Sequence, residues 1–130
     1  MALAAAGAAR ADCNSDFAAL MNKRMTEIGA LNKISKAGGG KLDPIAACPR
    51  LRNLASAEGE VVSYMSKNKD WCNLPDDIVS KMTATHAKTV SYAAKACSFA
   101  GKVKQMQQMQ QKQAQTQQQE QAVQLPTGPL

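Results

Sequence analysis

The sequence predicts an all-α fold: an antiparallel three-helix bundle with helices over about residues 12–36, 44–70 and 75–112. Of the 130 residues, 45% are hydrophobic, but 23 residues are alanine and only 4% are aromatic. Such a composition favours close-packed helices over a β-sandwich or a ligand-binding barrel. Apolar residues recur at steps of three and four, and strict alternation over strand lengths is missing, so no sheet is predicted.

The first helix is predicted from an apolar series at helical spacing, formed by Phe17, Leu20, Met21, Ile28, Leu31 and Ile34. Three consecutive glycines at 38–40 end it, because glycine is unfavourable inside a helix.

The second helix begins at Asp43-Pro44, a capping residue followed by proline in the first turn. Its apolar series is Cys48, Leu51, Ala55, Val62, Met65 and Cys72. Pro49 is expected to reset or kink the start of this helix, because proline disfavours helical geometry at the preceding residue.

The third helix follows a break at residues 73–77, whose two aspartates suit a helix N-terminus. Its inward face is predicted to carry Ile78, Val79, Met82, His86, Val90, Ala93, Cys97 and Ala100. All 12 glutamines lie between Gln105 and Gln124. We expect residues 105–130 to extend this helix for several turns, to fray beyond about Gln113 and to be disordered near the C-terminal prolines.

Helix lengths also predict the disulfide pairing. At ~1.5 Å per residue, Cys13 and Cys72 lie at one end of an antiparallel bundle, and Cys48 and Cys97 lie at the other. Only these two pairs bring Cα atoms within the ~7 Å that a bridge allows. An even cysteine count without C-x-x-C spacing also argues against a zinc or redox site.

Three segments resemble small four-cysteine helical proteins of the alphaproteobacterial periplasm. They are KLDPIAACPRLRNLASAE, YMSKNKDWCNLPDD and KACSFAGKVKQMQQ, and the resemblance covers most of residues 12–110. To our knowledge that group has no assigned activity, so the resemblance implies a fold and a periplasmic location but no functional residue.

Residues 1–11 form a small-apolar segment that ends in Ala9-Arg10-Ala11, an A-x-A pattern of the kind that signal peptidase cleaves. We expect them to be the remnant of an export signal, and the alternative is a flexible alanine-rich terminus. Three parts follow: the segment 1–11, a disulfide-locked domain over 12–104, and a Gln-rich extension over 105–130. No apolar run approaches the ~18 residues of a membrane span.

The chain carries a net charge of +6. Lys81, Lys88, Lys95 and Lys102 repeat every seven residues and share one outward stripe, with Lys104 and Lys112 beyond it. Such a stripe is either an ordinary solvated face or a site for lipid head groups, acidic polysaccharide or an acidic protein. Nucleic acid is not expected, because aromatic residues are not interleaved with the lysines.

A second hypothesis is a soft-metal site for copper. Met82 and His86 lie four residues apart on one face, and Met21, Met25 and Met65 are expected at a similar height in the bundle. Thioether and imidazole ligands suit Cu(I). The competing interpretation is ordinary core packing, since methionine fills gaps in alanine-rich interiors.

No catalytic constellation is recognised: the single histidine lacks a nucleophile, and all cysteines are assigned to disulfides. Glu58 and Glu60 are interpreted as exposed-face charges, and Trp71 is expected to pack over the disulfide at Cys72. The sequence therefore predicts a non-enzymatic, cofactor-free, exported interaction protein. It acts through the lysine stripe or the Gln-rich extension, on another protein, on an anionic envelope component or on its own copy.

Overall fold

A computed structural model describes the backbone of residues 2–124 and the side chains of residues 12–120. It contains three helices, α1 (Ala2–Ala37), α2 (Pro44–Asn68) and α3 (Asp76–Gln124), joined by short connections. Within this part of the chain there is no strand. The predicted all-α three-helix fold is confirmed.

The three helices pack with α2 in the centre. α1 and α3 each pack against α2, whereas no Cα atom of α1 lies within 8 Å of a Cα atom of α3 in the described residues. The bundle is therefore an open layer rather than a closed triangle. Among the described residues, one face of α3 has no neighbouring helix.

The start of α2 follows the predicted capping pattern. The side chain of Asp43 accepts a hydrogen bond from the backbone N–H of Ala46 at 3.3 Å. The glycine turn before it uses positive φ values at Gly39 (66°) and Gly40 (94°), which glycine adopts without steric cost. The prediction that Pro49 resets the start of the helix is wrong, because α2 continues through this residue without a break.

The core lies mainly along α2, whose buried residues recur at three- and four-residue steps: Ala47, Leu54, Ala57, Glu58, Val61 and Met65. On α3, Ala93 and Ala100 are buried as predicted, but Ile78 and Val90 are exposed. Thr89 is buried in the place expected for Val90, and its hydroxyl donates to the backbone carbonyl of Thr85 at 3.1 Å. A threonine that bonds its own helix backbone can be buried without an unsatisfied hydroxyl.

Both predicted disulfides are present, at opposite ends of the bundle. Cys13 and Cys72 are joined with a Cα–Cα distance of 5.8 Å, and Cys48 and Cys97 with 4.7 Å. Trp71 does not cover the first bridge, because it is 69% exposed. Tyr64 lies there instead, with its hydroxyl 3.7 Å from Cys72 Sγ.

Two helices are longer than predicted. α3 does not end near residue 112 but continues to Gln124, because glutamine is an adequate helix former and the first proline after it is Pro126. α1 begins at Ala2 rather than near Asp12, through an alanine-rich segment. The side chains of residues 1–11 and the predicted disorder around Pro126 lie outside the described residues. In the part searched, no helix is long and apolar enough to cross a membrane.

Candidate functional site

The lysine stripe lies on the exposed side of α3. All four of its side chains, at positions 81, 88, 95 and 102, are exposed, and none forms an ion pair with a carboxylate of the described residues. Successive members are ~10 Å apart along the helix axis. Lys104 is turned away from the stripe, because two residues rotate a helix by ~200°.

Elsewhere in the described residues, each glutamate of α1 and α2 has a basic partner. Lys23 Nζ binds both carboxylate oxygens of Glu60 at 2.9 and 3.0 Å. Arg50 Nη1 lies 3.7 Å from Glu27 Oε2. By contrast, the α3 sequence from residue 78 to residue 119 carries six lysines and no carboxylate. Residues 78–119 are therefore the longest part of the sequence without a negative side chain, and all of its formal charges are positive.

Apolar side chains alternate with these lysines on the same exposed face. Tyr92, Phe99 and Met106 recur every seven residues and are 62%, 57% and 60% exposed. The prediction that the lysines lack interleaved aromatic residues is wrong. The spacing could have been found in the sequence, since Tyr92 and Phe99 precede Lys95 and Lys102 by three residues each.

A shallow apolar groove adjoins this face where α3 meets the start of α2. It has a volume of about 620 Å³, and its lining includes Leu42, Pro44, Leu51, Tyr92, Lys95 and Phe99. Lys95 is the only charged side chain in the lining. The stripe and the groove therefore meet at Lys95.

The methionines of α1 lie apart from the predicted copper ligands Met82 and His86. Met21 and Met25 lie on α1 and Met82 and His86 lie on α3, so α2 separates the two pairs. Met25 is 56% exposed and Met65 is fully buried. In addition, no cluster of three or more histidine, cysteine or acidic side chains suited to a metal occurs among the residues searched.

A polar contact inside the core was missed by the sequence analysis. Glu58 is not on an exposed face: its side chain is 1% exposed and accepts a hydrogen bond from Arg24 Nε at 2.9 Å. On the other side of α2, Gly59 faces His86, and a Cβ added at Gly59 would lie 3.3 Å from His86 Cε1. The register of Glu58 with Leu54, Val61 and Met65 was the available signal.

Comparison of the chain with protein-family models, with curated proteins and with solved structures found no significant match.

Proposed function

We propose that this protein is a non-enzymatic binding protein that uses the lysine stripe of α3 to hold an anionic surface. One observation carries the proposal: residues 78–119 contain six lysines and no carboxylate, and the four lysines of the stripe share one exposed face without an ion-pair partner among the described residues. An uncompensated row of like charges raises the local concentration of anions and attracts them over several ångströms. A rigid helix holds this row in place before the ligand binds.

The proposed location is the periplasm or the extracellular space. All four cysteines are in disulfides, and stable disulfides persist mainly in oxidising compartments. The resemblance to periplasmic four-cysteine proteins and the signal-like residues 1–11 support the same location. There the stripe would meet acidic polysaccharide, lipid head groups or acidic proteins.

Heparin, a soluble polyanion, is a suitable first probe. We expect the full chain to bind it at low salt and to be released toward ~1 M NaCl, where the Debye length falls to ~3 Å. The test variant replaces Lys81, Lys88, Lys95 and Lys102 with glutamine. Because a lysine near an anionic surface contributes about 1 kcal/mol, we expect binding to weaken by roughly 100-fold or more.

A matched control removes the same number of charges elsewhere. Lys33, Lys36, Lys41 and Lys67 are exposed and have no ion-pair partner in the described residues. Their replacement with glutamine should weaken heparin binding only a few-fold. Equal losses in the two variants would mean that net charge alone drives binding, and the stripe would then have no special role.

A further inference from the structure

The C-terminal part of α3 projects beyond the bundle and has no neighbour among the residues that the structure describes. Every side chain from Lys104 to Glu120 is exposed, and we call residues 104–124 the α3 arm. Because the arm continues the packed part of α3, it needs no new nucleus, but propagation gains little stability per residue where no packing is added. A helix of this kind gains stability when a second surface covers one of its sides.

The exposed side of α3 has the spacing of a coiled-coil seam that continues into the arm. Its residues alternate at steps of three and four, which keeps them in line along the helix. In order they are Tyr92, Lys95, Phe99, Lys102, Met106, Met109, Gln113, Thr116 and Glu120. All nine side chains are exposed.

The charges in this seam select an antiparallel arrangement of two copies. A parallel pair in register would place Lys95 against Lys95 and Lys102 against Lys102, which is repulsive. An antiparallel pair that crosses between Met106 and Met109 places these two methionines against each other. The same register sets Lys102 opposite Gln113, and Lys95 opposite Glu120.

Glu120 is the only carboxylate on α3 beyond Asp77. Lys95 is the charged residue in the lining of the apolar groove. This register therefore brings the carboxylate of Glu120 to the groove of the other copy. It also places Thr116 of one copy over Phe99 of the other. Sliding the helices by one heptad sets Glu120 opposite Lys102 or Lys88 instead and separates Met106 from Met109. The first slide withdraws the arm from the groove, because Gln124 then reaches only residue 98, and the second brings the packed ends of the two bundles within ~3 Å along the helix axis.

The bundles do not collide in this register. The packed part of α3 ends near Val103, beyond which all described side chains are exposed. Val103 of the second copy lies opposite about residue 112 of the first. The packed ends of the two bundles are therefore separated by roughly 13 Å along the helix axis. The arm ends at Gln124, beside residue 91 of the other copy, so it has the length needed to cover the groove.

We infer that two copies of this chain associate through antiparallel α3 arms, each arm lying across the apolar groove of the other copy with Glu120 against Lys95. This interaction goes beyond the proposed anion binding. It uses Lys95 and Lys102 and leaves Lys81 and Lys88 of each copy free to bind anions.

Sedimentation velocity on the full chain tests the association. We expect a species of twice the chain mass of 13.8 kDa at micromolar concentration. Lys95→Glu and Glu120→Lys each place like charges together, and each is expected to weaken the dimer at least tenfold. The double variant Lys95→Glu/Glu120→Lys restores an opposite pair and should return the dissociation constant to within about threefold of the unmodified chain.

Two control variants test the register. Lys88 lies outside the overlapping residues 91–124, so Lys88→Glu should leave the dissociation constant of the dimer unchanged. Lys102→Glu/Glu120→Lys should not restore the dimer that Glu120→Lys weakens, because Lys102 does not face residue 120. Circular dichroism confirms that each variant retains its helices. A chain that stays monomeric at ~100 μM, or charge reversals that are not rescued by the double variant, would overturn the inference. A monomer that instead binds phosphatidylglycerol vesicles would also overturn it and would assign the apolar face to a membrane.

Discussion

Arg24 on α1 and Glu58 on α2 form an ion pair inside the bundle, with Nε and Oε2 2.9 Å apart. Glu58 is 1% exposed at its side chain, whereas Arg24 retains 19%. The second oxygen of Glu58, Oε1, is buried with no hydrogen-bond partner in the described residues. Arg24 is therefore the principal compensation for a buried negative charge.

The first prediction concerns the loss of either partner. Arg24→Met leaves Glu58 buried and uncompensated, and we expect the free energy of unfolding to fall by about 3–5 kcal/mol. Glu58→Met should cost less, because Arg24 can rehydrate from its partly exposed position. The double variant should be more stable than Arg24→Met alone, as measured by urea unfolding with the disulfides intact.

The exposed pair Lys23–Glu60 provides the control for this measurement. Its side chains are 58% and 43% exposed, and exposed pairs contribute about 0–1 kcal/mol. Lys23→Met should therefore change stability little. A loss as large as that of Arg24→Met would contradict a special role for burial.

The second prediction concerns Gly59, which lies opposite His86. Gly→Ala inside a helix usually gains about 1 kcal/mol, but a Cβ at Gly59 would lie 3.3 Å from His86 Cε1. We expect Gly59→Ala to give no gain in the unmodified chain and about 1 kcal/mol in the His86→Ala background. Thermal unfolding of the four combinations measures this coupling.

Gly101→Ala is the matched control, because nothing lies within 4 Å of a Cβ added there. It should stabilise the chain by about 0.5–1 kcal/mol in both backgrounds. If Gly59→Ala gave the same gain with and without His86, close approach at this point would not matter.

The third prediction concerns Tyr64 beside the first disulfide. Burial, and secondarily the negative charges of Asp16 and Asp12, raise the pKa of Tyr64 above its ordinary value of 10.0. Ultraviolet titration of Tyr92→Phe, which leaves Tyr64 as the only tyrosine, should show a midpoint above 10.0 in the folded protein. A midpoint that does not change on unfolding in urea would contradict this.

The sign of the stability effect follows from this raised pKa. Between pH 10 and the higher folded pKa of Tyr64, the native state holds the phenolic proton more often than the unfolded state. The contribution of Tyr64 to stability is therefore complete below pH 10 and falls as the pH rises through the folded pKa. Tyr64→Phe should remove this part of the alkaline loss.

The fourth prediction separates the two disulfides. Each closes a long loop, with sequence separations of 59 and 49 residues, and each should contribute about 4 kcal/mol. Cys13→Ala/Cys72→Ala frees α1, which packs only against α2 among the described helices. Hydrogen exchange should therefore accelerate first in α1, whereas α2 and α3 stay protected.

Cys48→Ala/Cys97→Ala is the comparison, because this bridge joins the two helices with the larger shared interface. Removal of the Cys48–Cys97 bridge should accelerate hydrogen exchange in α2 and α3, which stay protected when only the Cys13–Cys72 bridge is removed. Equal loss of protection in α1 and α3 after removal of the Cys13–Cys72 bridge would contradict the open-layer arrangement.

Helix number, topology and disulfide pairing could be predicted from the sequence because they depend on spacing and helix length alone. The central position of α2 could not be predicted, since any spatial arrangement of three amphipathic helices is compatible with the same spacing of apolar residues. Glu58 was misread for a related reason. A carboxylate is normally exposed, and only the ion pair with Arg24 on the neighbouring helix compensates for the burial of this one. Val90 was misread because Thr89, one residue earlier, hydrogen-bonds its own backbone and can replace it in the core.

The surface of α3 was predicted in part. The seven-residue repeat of lysines was visible, and all four are exposed as expected. The apolar residues Tyr92 and Phe99 were not recognised, although their three-residue spacing from Lys95 and Lys102 was visible in the sequence. That they stay exposed depends on α1 lying on the far side of α2. The groove at Lys95 also requires the turn before Pro44 to fold against α3, which no local pattern indicates.

The order of the two bridges along the chain bears on how the protein acquires its covalent structure. Cysteines 48 and 72, or 72 and 97, are only 24 or 25 residues apart, whereas the native partners are 59 and 49 apart. In an unstructured chain, the shorter loops close roughly three- to fourfold more readily. Oxidation before the helices form would therefore produce non-native disulfide isomers in excess. A cell that makes this protein needs either helix formation ahead of oxidation or an enzyme that rearranges non-native disulfides.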